Sequence, residues 1–532
     1  MTHSIDSKAN DREPINSLSV DRRKFIVGTA GVSLAALIES NSAAFAQAKP
    51  SITVRIDRDL ASLDPGYRTG PMDGNVIRSV FQRLMKQKPG SAELELDAAS
   101  DVKQTTPTTI EFTLKPGQMF SDGYGEMTAE DVKFSFERIG LPPAAGGKES
   151  PYKGDWVLLE KVEVTGKYTG RIVLTKPRAN LFDVALADVS GCIAPKKAVE
   201  ERGAEFATKP VGSGPYVVAS LEKQRGAVLK RHAGYAGAKP AFDEITIRFI
   251  SDPKTTELAL RSGELDFAIL SPATAEPLKS VATLKIAEEP SIAYLWIGMN
   301  VEKAPLNDVR VRRAIRLGLD VDQMLLAGYN GKAPRLNTLL PPQILGHWKD
   351  APVYKRNVAE AKQLLADAGV KDLKLKLLVL NQPVFQNMAL VARALLQEVG
   401  ITLEVDAQEG ATYWASGKGD PAKNLDLFLM RFNGKHDPNF IMQWFVASQI
   451  GNWNWQRWKN DDFDALFTQA ASELDKAKRA DLVVKAQKLM DESAAFIWLT
   501  NEMNAIVHQS WMKPSGVPGW LDWQYDNFGK TS

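Results

Sequence analysis

The sequence has little of what covalent catalysis and metal binding require. Cys192 is the single cysteine in 532 residues, so no intrachain disulfide can form, and thiolate-rich zinc or iron–sulfur sites are excluded. Because no matched base accompanies this thiol, we expect it to be a buried small residue rather than a nucleophile. The histidines are few and dispersed: His3, His232, His347, His436 and His508. We therefore predict neither a metal centre nor a cofactor.

An excess of one charge is also missing. Lys and Arg number 66 and Asp and Glu number 64, which leaves a formal net charge of +2. The basic residues are scattered, so the composition gives no reason to expect binding to nucleic acid or to an anionic membrane. The sequence has no G-x-S-x-G elbow, no P-loop and no G-x-G-x-x-G loop. No catalytic residue can be assigned, although the many carboxylates leave an acid/base pair open.

Long hydrophobic runs are absent, with one short exception near the N-terminus. The apolar stretch Phe25–Ile38 is shorter than the ~20 residues that span a bilayer. It follows Arg22 and Arg23 and precedes an A-x-A site at 46–48. This order is typical of a cleaved signal peptide, and the paired arginines resemble the twin-arginine export signal. We predict a signal peptide over residues 1–48 and a soluble periplasmic product. An ordinary secretion signal or an N-terminal anchor is the alternative.

Strand and helix patterns alternate along the rest of the chain. Apolar side chains recur at every second position in 52–56, 110–114, 245–249 and 373–379, as in half-buried strands. Amphipathic helix patterns with capping residues cover 128–139, 252–263, 357–369 and 385–399. This alternation predicts an α/β protein.

Several short sequence motifs occur in a particular order. They are Leu63-Asp64-Pro65, Phe120–Gly123, Met127–Ser135, Val211–Tyr216, Leu260–Asp266, Pro305–Ile315 and Phe432–Phe440. Together, over about residues 52–510, they resemble the large solute-binding proteins of ABC importers called family 5, which includes oligopeptide-, dipeptide- and nickel-binding proteins. Most of these residues suit turns, helix caps and core positions, so we do not assign them as ligand contacts.

The resemblance implies a periplasmic-binding-protein fold of the class C type. Two α/β lobes would be joined by a two-stranded hinge, with an extra domain inserted in the first lobe. Domain I would comprise 49–89, 210–299 and 506–532. The inserted domain II would cover 90–209, and domain III, the second lobe, 300–505.

The resemblance also implies capture rather than conversion of a ligand. The expected function is that of a periplasmic receptor that closes on a peptide or peptide-like amino compound and delivers it to the permease subunits of an ABC importer. We expect a monomer without nucleic-acid partners. The alternatives are the same receptor class for an opine, an oligosaccharide or a metal chelate; an exported hydrolase; and a ligand-presenting sensor or chaperone.

A charged contact is expected in the second lobe. In peptide-binding members of the family, an Asp in the D-P segment pairs with the ligand's α-ammonium, and Asp437 occupies that place before Pro438. The other interpretation is that Asp437 only forms a turn. Arg431, which we also count among the candidate ligand contacts, and His436 are close in the sequence and could neutralise Asp437 instead.

Aromatic side chains and one further cation complete the candidate contacts. Trp414, Trp453 and Trp455 could cover a ligand in a closed cleft, or could pack within the lobe. Tyr67 and Arg68 follow the Leu63-Asp64-Pro65 turn, where the first lobe would meet the cleft. Arg68 could pair with a ligand carboxylate or form a surface salt bridge.

Overall fold

Alternation of apolar and polar side chains sets where many of the strands form. In Ser51–Ile56 and Thr109–Leu114 every second residue is buried, as the two-residue period of a strand requires. The computed structural model describes residues 50–68, 70–143 and 147–531, with Pro71 described by its backbone alone. The predicted signal peptide lies outside these residues. Within them, no helix combines the length and apolar character needed to cross a membrane.

The strands are numbered in chain order. They are β1 Ser51–Ile56, β2 Met85–Gln87, β3 Leu94–Leu96, β4 Ala99–Thr106, β5 Thr109–Leu114, β6 Leu159–Val164, β7 Thr169–Leu174, β8 Tyr216–Glu222, β9 Gly226–Arg231, β10 Glu244–Phe249, β11 Phe267–Leu270, β12 Leu284–Pro290, β13 Tyr294–Met299, β14 Leu373–Leu380, β15 Ile401–Gln408, β16 Leu427–Phe432, β17 Phe496–Thr500, β18 Met503–Gln509, β19 Met512–Lys513 and β20 Gly529–Lys530. The four segments predicted as strands are confirmed as β1, β5, β10 and β14.

The α-helices are numbered in the same way. They are α1 Pro71–Val80, α2 Ala129–Gly140, α3 Lys196–Arg202, α4 Pro253–Ser262, α5 Pro272–Ala275, α6 Val309–Gly318, α7 Val321–Tyr329, α8 Val358–Asp367, α9 Pro383–Val399, α10 Gly410–Ser416, α11 Pro438–Met442, α12 Asp461–Ser472 and α13 Lys476–Glu492. A π-helical turn covers Leu181–Leu186.

Local capping explains where several helices begin. The amide of Thr128 donates to Asp131 Oδ2 over 2.9 Å in a capping box before α2. Asp252 accepts from the amide of Thr255 before α4, and Gly263 ends that helix in the left-handed conformation at φ +76°. These features confirm the helix starts and the stop that the sequence predicts there.

The first lobe is built on a seven-stranded mixed sheet. Its order is β12-β18-β11-β1-β10-β9-β8, with β1 parallel to both neighbours. These strands come from three distant parts of the chain, so both ends of the described chain contribute to one sheet. Gly214 precedes β8, and its amide donates to the carbonyl of Val80 at 2.8 Å. A Cβ at this position would lie 2.6 Å from the Val80 carbonyl carbon, so the close approach requires glycine.

A separate antiparallel sheet, β4-β5-β7-β6, lies within the region predicted as inserted domain II. Helix α2 packs on β6, and Phe136 of α2 stacks on Trp156 with ring centroids 4.4 Å apart. One continuous apolar core joins this sheet to the seven-stranded sheet. We therefore count the inserted region as part of the first lobe.

The second lobe is built on a five-stranded sheet in the order β15-β14-β16-β13-β17. The chain enters it between β12 and β13, at 291–293, and leaves it between β17 and β18, at 501–502. Both crossings come earlier in the chain than the predicted domain limits at 299 and 505. Strand β13, placed in domain I from the sequence, pairs with β16 and β17 of the second lobe.

Candidate functional site

A cavity of about 380 Å³ lies where the two lobes meet. We call it the interlobe cavity. Its wall is formed by Arg68, Gly70, Pro151, Tyr152, Gly154, Asp155, Ser291, Ile292, Ala293, Asn433, Gly434, Lys435, Phe440, Gln443, Trp444, Gly519, Trp520, Leu521 and Asp522. These residues come from the first lobe, from the crossing at 291–293 and from the second lobe. A ligand in this cavity would therefore contact both lobes and the hinge at once.

A fully buried carboxylate, Asp188, organises the charge beside the cavity. Its oxygens face Arg78 Nη2 at 2.5 Å, Lys435 Nζ at 2.7 Å and Arg68 Nη2 at 3.4 Å. Burial alone would raise the pKa of Asp188, but Lys435, Arg68 and Arg78 together hold that pKa well below its usual value. The group is therefore an anion that gathers three cations at the lobe junction.

Arg68 reaches the cavity from the segment before α1 and is only 8% exposed. Its guanidinium carbon lies 4.6 Å from the centre of the Tyr152 ring, a cation–π distance. The Nε group has no hydrogen-bond partner among the described residues, and the contact with Asp188 is long at 3.4 Å. This cation retains hydrogen-bonding capacity beside the cavity.

Lys435 links the lobes through charge. It follows β16 in the second lobe, and its Nζ lies 3.4 Å from both carboxylate oxygens of Asp155 and 2.7 Å from Asp188 Oδ2. Burial tends to lower the pKa of Lys435, but Asp155 and Asp188 raise it overall, so the side chain stays an ammonium. Asp522 also lines the cavity and accepts from Arg78 Nη1 at 2.8 Å.

Aromatic rings cover the second-lobe side of the cavity. Phe440 and Trp444 line it with ring centroids 5.7 Å apart. Trp453 packs against Trp444 at 5.8 Å, and Trp414 lies one ring further, 6.1 Å from Trp453. These rings are half-buried. The predicted Trp414 and Trp453 are not among the lining residues and instead pack in sequence behind Trp444.

Trp455 has a different position. It is 1% exposed and packs edge-on against Phe428, with centroids 5.4 Å apart. Its indole N–H donates to the carbonyl of Asn452 at 3.1 Å. The structure thus places this predicted contact in the second-lobe core, where its ring packs against Tyr413 and Trp414 of α10.

Asp437 is 1% exposed, and both of its carboxylate oxygens have partners within the protein. Oδ1 accepts from the amide of Phe440 at 2.9 Å and from Asn180 Nδ2 at 2.8 Å. Oδ2 pairs with Arg479 at 2.5 Å. Asp437 is not among the residues that line the cavity. Arg479, rather than Arg431 or His436, is the cation that neutralises it.

Tyr67 and Arg431 also lie outside the lining. The Tyr67 hydroxyl donates to the carbonyl of Lys148 at 2.7 Å. Arg431 Nε donates to Glu502 Oε2 at 2.7 Å, which ties β16 to the crossing at 501–502. Of the predicted contacts, Arg68 is the one that the structure places directly on the interlobe cavity.

Sequence reasoning missed several lining residues. Lys435 lies two positions before Asp437, in a segment that the sequence had already singled out. Asp155, Tyr152 and Asp522 carried no motif or spacing that marks a site. Among the described residues, no group of three or more His, Cys, Asp and Glu side chains is placed to hold a metal ion.

Direct contacts bridge the lobes around the cavity. Asn180 of the inserted region donates to Asp437 at 2.8 Å, and the amide of Ala179 donates to the carbonyl of Ala471 at 2.9 Å. His436 Nε2 lies 3.1 Å from the carbonyl oxygen of Pro518. These contacts enclose the cavity between surfaces that already touch.

Comparisons with known proteins agree with this architecture. A family model described as bacterial extracellular solute-binding proteins, family 5 Middle, matches residues 93–453. The probable D,D-dipeptide-binding periplasmic protein DdpA of Escherichia coli K12 is 28% identical over 456 residues, which cover 83% of this chain and 86% of that protein.

Solved structures show the same fold. The periplasmic binding protein DppA of Helicobacter pylori, in complex with the peptide STSA, matches with a TM-score of 0.77 at 24% identity, covering 91% of this chain and 98% of that chain. MoaA of A. tumefaciens R10, in complex with mannopinic acid, matches with a TM-score of 0.75 at 25% identity, covering 91% of this chain and 100% of that chain.

Proposed function

Because the chain belongs to the bacterial extracellular solute-binding proteins of family 5, we propose that it is the receptor of an ABC importer. Its ligand is a peptide or peptide-like amino compound, which it captures between its lobes and delivers to the membrane permease. The observation that carries the proposal is the interlobe cavity of about 380 Å³, whose wall comes from both lobes and the hinge. A receptor for a small ligand needs this arrangement, because closure must depend on what lies between the lobes.

The mechanism follows from the two crossings. Opening at 291–293 and 501–502 separates the lobes and exposes the cavity to solvent. A ligand that contacts Ile292 and Ala293 of the hinge together with both lobes stabilises the closed arrangement by its differential affinity for it. Polar groups of the ligand lose water on closure and need partners, which the lining side chains of Arg68 and Lys435 supply.

Our proposal for the contact residues follows the cavity lining. Arg68 and Lys435 provide charge, and Tyr152, Trp444 and Trp520 provide aromatic surface. Trp414 and Trp453 would contact only a ligand that extends beyond the cavity. A contact between Asp437 and a ligand ammonium stays a prediction, and the partners that Asp437 already has weigh against it.

Location and export are part of the proposal. The periplasm fits the matched relative, which is named a periplasmic protein. The pair Arg22 and Arg23 before the short apolar stretch supports the twin-arginine route. We also propose that the chain turns over no substrate, since capture and delivery require that the ligand leave unchanged.

The first experiment is mass spectrometry of small molecules released by denaturing the purified mature protein. A panel of L,L-dipeptides, D,D-dipeptides and mannopinic acid then tests binding by thermal shift, because a ligand that binds only the folded state raises the apparent stability. We expect a peptide to be recovered intact and to raise the melting temperature. Recovery of mannopinic acid alone would keep the receptor and replace the ligand class by an opine. Cleavage of a peptide during incubation would contradict the receptor and favour a hydrolase.

A matched pair of variants locates the site. Trp444→Ala removes a ring from the cavity wall, whereas Trp348→Ala removes a ring elsewhere in the second lobe, beside Lys488. We expect the first to weaken ligand binding by about tenfold, a change of about 1.4 kcal/mol, and the second to leave affinity unchanged. Equal loss in both variants would contradict the assignment of the cavity.

A further inference from the structure

The carboxylates that line the interlobe cavity already face cations of the protein itself. Among the described residues these lining carboxylates are Asp155 and Asp522. Lys435 Nζ lies 3.4 Å from both oxygens of Asp155, and Arg78 Nη1 donates to Asp522 Oδ1 at 2.8 Å. Asp522 Oδ2 accepts no hydrogen bond from the described residues but lies 2.5 Å from Arg78 Nη2. An ammonium group on the ligand would therefore compete with a cation that the protein supplies at either carboxylate.

Lys435 lies in the position that such an ammonium would take. The side chain comes from the second lobe and crosses to two carboxylates of the first, Asp155 and Asp188. It is 7% exposed, so its ammonium is desolvated and held by these anions. Removing Lys435 would leave both carboxylates with less compensation, which makes its displacement by a ligand unfavourable.

Arg68 is in the opposite situation. Its partner Asp188 is shared with Arg78 and Lys435, both of which lie closer to the carboxylate. The contact of Arg68 with Asp188 is 3.4 Å long. Within the described part of the chain its Nε has no hydrogen-bond partner, although the side chain is more than nine-tenths buried. A guanidinium offers a planar fork that matches a carboxylate, and Arg68 lines the cavity, so a ligand carboxylate is the group that this guanidinium would bind.

We infer that the cavity recognises its ligand through a carboxylate bound by Arg68, and that Lys435 takes the place of the ligand ammonium, so that a free amine is not required. This inference rests on the proposed receptor function and narrows its ligand class to peptides and peptide-like compounds with a free carboxylate. It also assigns specificity to Lys435, which lies within the segment Phe432–Phe440 but was not predicted as a ligand contact.

The test uses one pool of dipeptides, of L and D residues, prepared in three forms: free, N-acetylated and C-amidated. The purified mature protein is incubated with an equimolar mixture of the forms, and the captured species are measured by mass spectrometry. We expect the free and N-acetylated forms to be captured within threefold of each other and at least 30-fold over the amides. Capture of free and amidated forms without the acetylated ones would overturn the inference while leaving the peptide receptor intact. Capture of none of the three forms would overturn both this inference and the proposed peptide receptor.

Two variants separate recognition from stability. Arg68→Gln should lose the preference for the free carboxylate over the amide. The control is Arg83→Gln, which removes another buried arginine of the first lobe, one that lies 3.9 Å from Asp97 and does not line this cavity. It should keep the preference even if both variants melt at lower temperature. Retention of the carboxylate preference in Arg68→Gln would overturn the inference.

Lys435→Gln gives a readout that a purely structural role would not move. Because Asp155 would lose the cation that faces it, the ratio of captured free dipeptide to captured N-acetylated dipeptide should rise by about tenfold. An unchanged ratio in a folded Lys435→Gln protein would contradict the assignment of Lys435, and the Arg68 variants test the carboxylate contact if this variant fails to fold.

Discussion

At the scale of single residues, two carboxylates near the lobe junction are driven in opposite directions. Three cations lower the pKa of Asp188 despite its burial. Asp183, in the turn Leu181–Leu186, has no such surroundings: burial, together with the charge of Asp437, raises its pKa to about 6, and Lys476 and Arg479 offset this only in part. The difference comes from the charges that tertiary contacts bring near each group, since both residues lie in one short stretch of the inserted region.

This contrast predicts a pH-dependent effect of Asp183→Asn. A carboxyl whose pKa is higher in the folded state than in the unfolded state stabilises the fold when it is protonated. This contribution is lost as the pH rises from 3.8, the ordinary pKa of the group, to about 6, its pKa in the folded protein. The ionised side chain then destabilises the fold at neutral pH. Asp183→Asn should therefore raise the melting temperature at pH 7.5, with a gain in the free energy of unfolding of roughly 1–3 kcal/mol. The gain should be much smaller at pH 4.5. An equal gain at both pH values in calorimetric melts would contradict this assignment.

At the scale of elements, the start of α11 shows how one side chain serves two purposes. Asp437 caps the helix by accepting from the amide of Phe440, and Pro438 occupies the first helical position. The same carboxylate holds Arg479 of α13, which is 6% exposed. Asp437 of the D-P segment thus joins α11 to α13 and, through Asn180, to the first lobe.

We predict that Asp437→Ala destabilises the protein before any ligand is added. It removes a helix cap, worth about 1 kcal/mol, and leaves Arg479 buried without its carboxylate, at about 3–5 kcal/mol. Asp437→Asn keeps a capping oxygen and should lose less. In thermal melts of the ligand-free proteins, we expect the melting temperature to fall in the order wild type, Asp437→Asn, Asp437→Ala.

Loss of ligand binding in Asp437→Ala alone would not separate a contact from a destabilised lobe. A variant that melts like the wild type and yet loses binding would instead support the ammonium contact predicted from the sequence.

At the scale of the whole molecule, the seven-stranded sheet unites distant parts of the chain. Strand β1 lies beside β10 and β11, and β18 lies between β11 and β12. The first lobe is therefore incomplete until nearly all of the chain has been synthesised, because β18 comes after the whole second lobe. Folding before export, which the proposed twin-arginine route would allow, would let this sheet be completed in the cytoplasm.

Substitution of both arginines of the pair, Arg22→Lys and Arg23→Lys, should retain the precursor in the cytoplasm. The proposed twin-arginine recognition depends on the paired arginines, and the changes preserve charge, so a general secretion signal would tolerate them. Arg12→Lys, upstream of the pair, is the control and should not alter export. Immunoblots of cytoplasmic and periplasmic fractions give the result; unchanged export of the double variant would favour the ordinary secretion route.

The sequence by itself determined the α/β character, the four alternating strands and the capped helices. These features depend on side chains within a few residues of one another, such as Thr128 with Asp131 or Asp252 with Thr255. The burial of Cys192 was also predicted and is confirmed. The family and its two-lobed fold were recognisable because short sequence motifs of the family occur in this chain in the same order.

Only the tertiary structure decided the site and the limits of the lobes. Lys435 is 247 residues from Asp188 and 280 from Asp155, so no spacing in the sequence could pair them. Strand β13 is buried at every position, and its sequence has no alternation that indicates which sheet it joins. Charges at the cavity and pairing of buried strands depend on which segments meet in space, and that is set by packing of the whole chain rather than by any local pattern.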